Sequence, residues 1–225
     1  MKLLETILNE IEDVKVLDAA IDYKRYISLD LSDTNQDLKN LKIDNASDFE
    51  NYIENYLKQN DAKVAYGGYN EVRNLYKRST IFNDSGSDER NIHIGLDLWI
   101  KAGTPVLAAI DGFIHSYNNN LGVGDYGPTI ILEHRIQDHI FYTLYGHLSL
   151  ESIAAIKVGT AVKKAEQIAS LGDASVNGDY SPHLHFQIIK EIPTLFGDYP
   201  GVCSKKDQEF YLKNCPDPNV LLKIK

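Results

Sequence analysis

Ser181-Pro182-His183-Leu184-His185-Phe186 is the stretch from which the rest of the chain can be read. In an extended strand, side chains at i and i+2 share a face. His183 and His185 therefore face one site together, while Leu184 and Phe186 face a core. Asn91-Ile92-His93-Ile94-Gly95-Leu96-Asp97-Leu98-Trp99 repeats the pattern, with apolar residues on even positions and His93, Gly95 and Asp97 on odd ones. Period 2 predicts one strand over this stretch, not a helix. From residue 91 onward, short β-branched runs alternate with glycine turns, near 92–99, 105–117, 128–134, 139–145, 156–171 and 183–190. Gly103-Thr104-Pro105, Asp111-Gly112 and Asp125-Tyr126-Gly127-Pro128 supply the turns. This pattern implies an antiparallel, mainly β architecture.

Upstream the signals change. Leu3, Leu4, Ile7, Leu8 and Ile11 recur at helical spacing, which predicts an amphipathic helix from residue 2 to about 14. Tyr26–Leu31 alternates as a strand does. Ser47-Asp48-Phe49-Glu50 reads as a capping box opening a helix whose one face carries Phe49, Tyr52, Ile53, Tyr56 and Leu57. That face needs a partner surface. The expected organisation is a small mixed helical region over residues 1–66 and a β domain over 67–225, with Gly67-Gly68 as the turn between them. Residues 66–80 are then expected either to wall the site or to leave the upstream segment as a cap on the far side of the sheet. Asp84–Glu89 reads as a polar loop, and Cys215-Pro216-Asp217-Pro218-Asn219 as a stiff turn.

A formal net charge of -9 with a pI near 5.2 argues against nucleic acid and anionic membranes as partners. Glu10, Glu12 and Asp13 interrupt any signal-peptide core, so a cytoplasmic location is expected, or a periplasmic or secreted one where a leader has been removed. Cys203 and Cys215 fit free thiols or one short-range disulfide.

All 7 histidines lie between residues 93 and 185. Imidazole and carboxylate suit Zn²⁺, and a catalytic zinc typically takes three protein ligands and leaves a position for water. His93, Asp97 and one of the paired histidines would make a His₂-carboxylate set for one zinc ion. Further imidazoles near it could move the protons of a hydrolysis. His134 reads as a satisfied sheet residue, and His115 and His139 as surface or turn residues. Arg73 and Arg90 could grip a substrate carboxylate, with a surface ion pair as the alternative for each.

These residues resemble the lysostaphin/LytM-type zinc endopeptidases, which cut peptide cross-links in bacterial cell walls. His93-Ile94-Gly95-Leu96-Asp97 resembles that family's H-x-G-x-D, Tyr145-Gly146-His147-Leu148-Ser149 its Y-x-H-L-S, and His183-Leu184-His185-Phe186 its H-L-H-F. The resemblance covers residues 90 to 190. It implies a β-sandwich with one sheet flooring a groove, zinc ligands at His93, Asp97 and His185, and a catalytic pair at His147 and His183. It also implies a peptide or peptidoglycan-fragment substrate. Tyr69 and Arg73 on the expected wall, together with Arg90 and Tyr126, are the candidate substrate-binding residues. Gly68–Tyr76, Asn177-Gly178 and Tyr199–Cys203 are similar to an intracellular branch of the family, found between kinase-like and aminotransferase-like domains. Gly172–Ser181 replaces the small Gly-Thr-Gly turns of secreted members. The alternative to hydrolysis is a metal-holding regulatory or fragment-binding module. A zinc enzyme acting on small intracellular metabolites is a third class.

Overall fold

The computed structural model describes residues 3–39, 45–73 and 89–225. The polar loop expected at 84–89 lies outside them except for Glu89, and so do residues 74–80 of the expected wall. In chain order the elements are α1 (Leu4–Leu8), β1 (Tyr26–Ser28), α2 (Gln36–Lys39), α3 (Ala46–Gln59), β2 (Val64–Gly67), β3 (Glu71–Val72), β4 (Arg90–His93) and β5 (Leu96–Trp99). Then come β6 (Pro105–Leu107), β7 (Gly112–Asn120), β8 (Gly127–Ile136), β9 (His139–Gly146), α4 (Leu150–Ala154), β10 (Ala161–Val162) and β11 (Gln167–Ser170). The last are β12 (His183–Ile189), β13 (Val202–Ser204), α5 (Gln208–Asn214) and α6 (Asn219–Leu222).

The chain is mainly β. One 8-stranded sheet runs β1-β2-β5-β12-β9-β8-β7-β10, beside a 3-stranded sheet β13-β4-β3 and a 2-stranded pair β11-β6. Among the described residues all pairings are antiparallel except β1 with β2. A parallel pair cannot be closed by a tight turn, and here the crossover carries α2 and α3. The boundary expected between residues 66 and 67 falls inside β2, and the upstream segment lends two strands to the large sheet. Leu96, Leu98, Leu184, Phe186 and Ile188 point from one face of that sheet into the main core, which Leu4, Leu8, Val14 and Leu17 complete. The small sheet covers part of the opposite face, where Ile92, Ile94, Ile131, Leu144 and Cys203 pack together.

Three local expectations are corrected. The first helix is α1 alone: past Leu8 the backbone bonds tighten to Glu10 N on Ile7 O and Ile11 N on Leu8 O, Asp13 takes a left-handed backbone (φ 53°), and the later apolar residues reach the core from irregular chain. The cap of α3 is Asn45, two residues before Ser47: its side chain accepts from Asp48 N at 2.9 Å and donates to Asp48 Oδ2 at 2.9 Å. The stretch 91–99 is two strands in two sheets. β4 pairs with β13 and β3, and the chain then crosses at Ile94-Gly95 so that β5 joins β12 and β2. Phe49 and Ile53 of α3 pack with Leu29, Leu31, Ala65 and Trp99, so this helix covers the β2–β5 end of the sheet. Cys203 and Cys215 are buried free thiols.

His134 is a satisfied sheet residue. Its Nδ1–H donates to Asp111 O (2.9 Å), and its Nε2 lies 2.7 Å from the Thr143 hydroxyl. Burial pushes its pKa down to about 4. The unfolded chain binds this proton near pH 6.5, so the contribution is complete above that pH and is lost as pH falls from 6.5 towards 4. The total is about 3 kcal/mol. In metal-free protein, His134→Gln should therefore lose melting temperature less steeply than wild type over this range. Parallel pH–Tm curves would contradict the assignment.

Candidate metal centre

The strand register assembles the site. His185 on β12 pairs with Asp97 on β5, and Gly67 on β2 also pairs with Asp97. His93, at the end of β4, reaches the same point from the small sheet. His93 Nε2 lies 2.9 Å from His185 Nδ1 and 3.3 Å from Asp97 Oδ1, and His185 Nδ1 lies 3.1 Å from that oxygen. All three donors lie within 4.8 Å of one another, and all three residues are buried. Two imidazole nitrogens and a carboxylate oxygen at such spacing fit a single divalent ion.

The atoms turned away from that point have partners. His93 Nδ1–H donates to Gly68 O (2.9 Å), and His185 Nε2–H donates to Gln187 Oε1 (2.9 Å). Asp97 Oδ2 accepts from Arg73 Nη1 at 2.6 Å. Partners of this kind fix the tautomer and aim the ligating atom. Burial alone would raise the Asp97 pKa, but His93 and Arg73 outweigh it and hold the carboxyl well below its ordinary range.

His147 and His183 stand beside this cluster, with ring centroids 4.1 Å apart. Each is held by a backbone carbonyl: His147 Nδ1–H donates to Asn177 O (2.8 Å), and His183 Nδ1–H donates to Ser181 O (2.8 Å). Their Nε2 atoms are left to face the site, and His183 Nε2 lies 3.9 Å from Asp97 Oδ1. Burial lowers both pKa values, so both rings are neutral near pH 7. His147 follows the last residue of β9 with φ 62°, a left-handed backbone that is uncommon for histidine and recurs at functional sites. The stretch 172–181 supplies both holding carbonyls, and the Tyr180 ring packs edge-on against His147 and His183. Trp99 stacks on His183 from the other side, at 5.8 Å.

A cavity of ≈260 Å³ opens over these groups. Of the expected substrate-binding residues, Arg73, Arg90 and Tyr126 line it; the Tyr126 hydroxyl lies 3.4 Å from His185 Nε2. Tyr69 does not line it, and its hydroxyl instead donates to Cys215 O (2.8 Å). Arg73 is buried, and its guanidinium is engaged by the carboxylates of Asp97 and Glu71. The far wall comes from Leu31 and from Phe49 of α3. Sequence reasoning missed Gln187, although it extends the alternation of His183 and His185 by one more step. It also missed Trp99, Gly68 and Glu71, whose roles depend on pairings between strands.

Residues 91–195 match the profile of Peptidase family M23. They form a region of M23 type, similar to that family over just under half of the chain. An uncharacterized metalloprotease of Haemophilus influenzae is 34% identical over 95 residues, covering 42% of this chain and 18% of its own length. The cell division protein DipM of Caulobacter vibrioides is 32% identical over 114 residues, covering 51% of this chain and 17% of its own. The chain thus spans under a fifth of either relative. Among solved structures, the catalytic domain of lysostaphin from Staphylococcus simulans is 27% identical, covering 54% of this chain and 80% of that one with a TM-score of 0.38. A zinc containing peptidase from Vibrio cholerae is also 27% identical, covering 48% of this chain and 30% of that one with a TM-score of 0.36. The M23-type region contains all three metal-facing residues and both neighbouring histidines. Gly68, Glu71, Arg73, Leu31 and Phe49 come from upstream of it.

Within the M23-type region, Gly95 is required by packing. A Cβ there would lie 2.4 Å from His185 Cε1 and 2.5 Å from its Nε2. Gly95→Ala should push the imidazole off its register with Asp97 and lower metal content while the β-sheet circular-dichroism signal survives. A variant that binds metal as wild type does would show that His185 is not held there.

Proposed function

We propose that the chain is a zinc-dependent endopeptidase that cuts short peptides of peptidoglycan type, with His93, Asp97 and His185 holding one zinc ion. The convergence of three buried donors with two further imidazoles, each presenting Nε2 to the same cavity, carries this reading. A bound zinc ion supplies Lewis acidity, which acidifies water and polarises a carbonyl.

The chain's own residues handle the protons. His147 and His183 are neutral near pH 7, with Nδ1–H tied to a carbonyl, so Nε2 of either is ready to accept a proton. One ring takes the proton of the attacking water at Nε2. The resulting imidazolium makes a hydrogen bond from Nε2–H to the developing oxyanion and then transfers that one proton to the leaving amine nitrogen as the C–N bond breaks. Trp99 and Tyr180 brace the pair so that little reorganisation is needed as charge moves between them. The cavity, closed on one side by Leu31 and Phe49 and bordered by Leu195, Tyr199 and Pro200, suits an extended peptide with small side chains.

Incubating zinc-loaded protein with muropeptides and with a Gly- and Ala-containing peptide library, followed by mass spectrometry, tests the reading. Cleavage at one class of bond is expected. Intact peptides in the presence of stoichiometric zinc would replace the enzyme with a metal-holding binding module.

A further inference from the structure

We infer that Arg73 is a positioning residue for the metal centre: it occupies Asp97 Oδ2 so that Asp97 offers a metal only Oδ1. This rests on the zinc reading above and assigns part of the centre to a segment outside the M23-type region. Arg73 directly follows β3, and its guanidinium bridges two carboxylates, with Nη1 on Asp97 Oδ2 at 2.6 Å and Nε on Glu71 Oε2. It is buried, with 3% of its surface exposed. Its backbone is fixed as well, since Arg73 N donates to Asn91 O at 2.8 Å.

Glu71 is fixed in turn. Its other oxygen accepts from Leu31 N at 3.1 Å, and it pairs with His93 across β3 and β4. Arg73 also packs over the Trp99 ring at 5.6 Å, and a Cβ on Gly68 would lie 1.8 Å from its Nη2. The guanidinium thus sits in a slot shaped for it. The same segment supplies Gly68 O to His93 Nδ1, so the non-ligating atoms of two of the three metal-facing residues are held from residues 68–73.

A cation so close to a carboxylate ligand acts in two ways. It repels a divalent ion, and it restricts the carboxylate to one orientation and one free oxygen. Glu71 offsets the repulsion because the Arg73–Glu71 pair carries no net charge. Orientation therefore dominates, and removing Arg73 weakens metal binding. A freed Asp97 would offer both oxygens, and a bound ion would gain a ligand.

The test uses the full chain with Arg73→Met, Arg73→Lys and Glu71→Gln. Zn²⁺ affinity is measured by chelator competition, and coordination is read from the visible absorption of Co²⁺ in the same site. Arg73→Met should bind Zn²⁺ roughly 10- to 100-fold more weakly, the usual cost of losing a partner of a ligand. Its Co²⁺ band should weaken as coordination number rises. Arg73→Lys, which keeps one donor but cannot span both carboxylates, should fall between Met and wild type. Glu71→Gln should shift affinity and spectrum in the same direction by less, and it decides the matter if Arg73→Met does not fold. Variants that melt lower without metal yet keep wild-type affinity and cobalt spectrum would overturn the inference and leave Arg73 a packing residue. A wild-type chain that takes up neither ion would overturn the metal centre itself.

Discussion

His185→Ala is expected to abolish stoichiometric zinc and to remove the dependence of melting temperature on added zinc. Only the folded chain brings β4, β5 and β12 together, so zinc binds the native state and adds RT ln(1 + [L]/Kd) to its stability. At a hundred times Kd this is about 2.7 kcal/mol, or about 5 to 10 °C for a chain of this size. The variant should melt at one temperature whether or not zinc is present. His93→Ala and Asp97→Asn should behave alike, because the first removes one of the three donors and the second replaces the anionic one with a weak neutral amide oxygen. Asp97→Ala is a poorer choice, since it also removes the side-chain oxygen that accepts from the buried Arg73 Nη1, an acceptor that asparagine keeps. Stoichiometric zinc in purified His185→Ala would exclude His185 as a ligand and move that role to His183, the next nearest imidazole to Asp97.

His147→Ala and His183→Ala should keep zinc and fall in peptide turnover by about 10²-fold or more, the scale of a positioned acid-base group or oxyanion donor. The two losses should not multiply in the double variant, because rings 4.1 Å apart act on one proton path. His147→Ala also places alanine at φ 62°, so a small drop in melting temperature should accompany it. Normal turnover in either variant, with zinc in place, would remove that histidine from the mechanism.

The metal-facing set was legible because it obeys strand periodicity within short stretches. His183 and His185 alternate with Leu184 and Phe186, and each residue lies on the expected side of β12. His93 and Asp97 show the limit of the same logic. Their alternation continues across Ile94-Gly95 although the hydrogen-bond partners change from one sheet to another. Periodicity records which side a residue faces, not which strand lies beside it. The contact between Arg73 and Asp97 was hidden for that reason: their spacing in sequence carries no sign that the two meet. Helix limits failed for a different cause. The apolar spacing of Leu4 to Ile11 is satisfied by core contact as well as by helix, and only the backbone bonding past Leu8 separates the two.

The place of β12 in the large sheet bears on how the chain folds during synthesis. Without residues 183–189 the sheet falls into two separate halves, β1-β2-β5 and β9-β8-β7-β10, and each half has an open inner edge. Until β12 leaves the ribosome, β5 and β9 lack the neighbour that satisfies their inner backbone groups, and such edges invite pairing with other chains. The strand that closes this gap is the one that carries His183 and His185. On the zinc reading, closing the sheet would also complete the set of three metal donors. Zinc supplied during refolding should accelerate the recovery of native protein, while zinc supplied afterwards should only stabilise what has already formed.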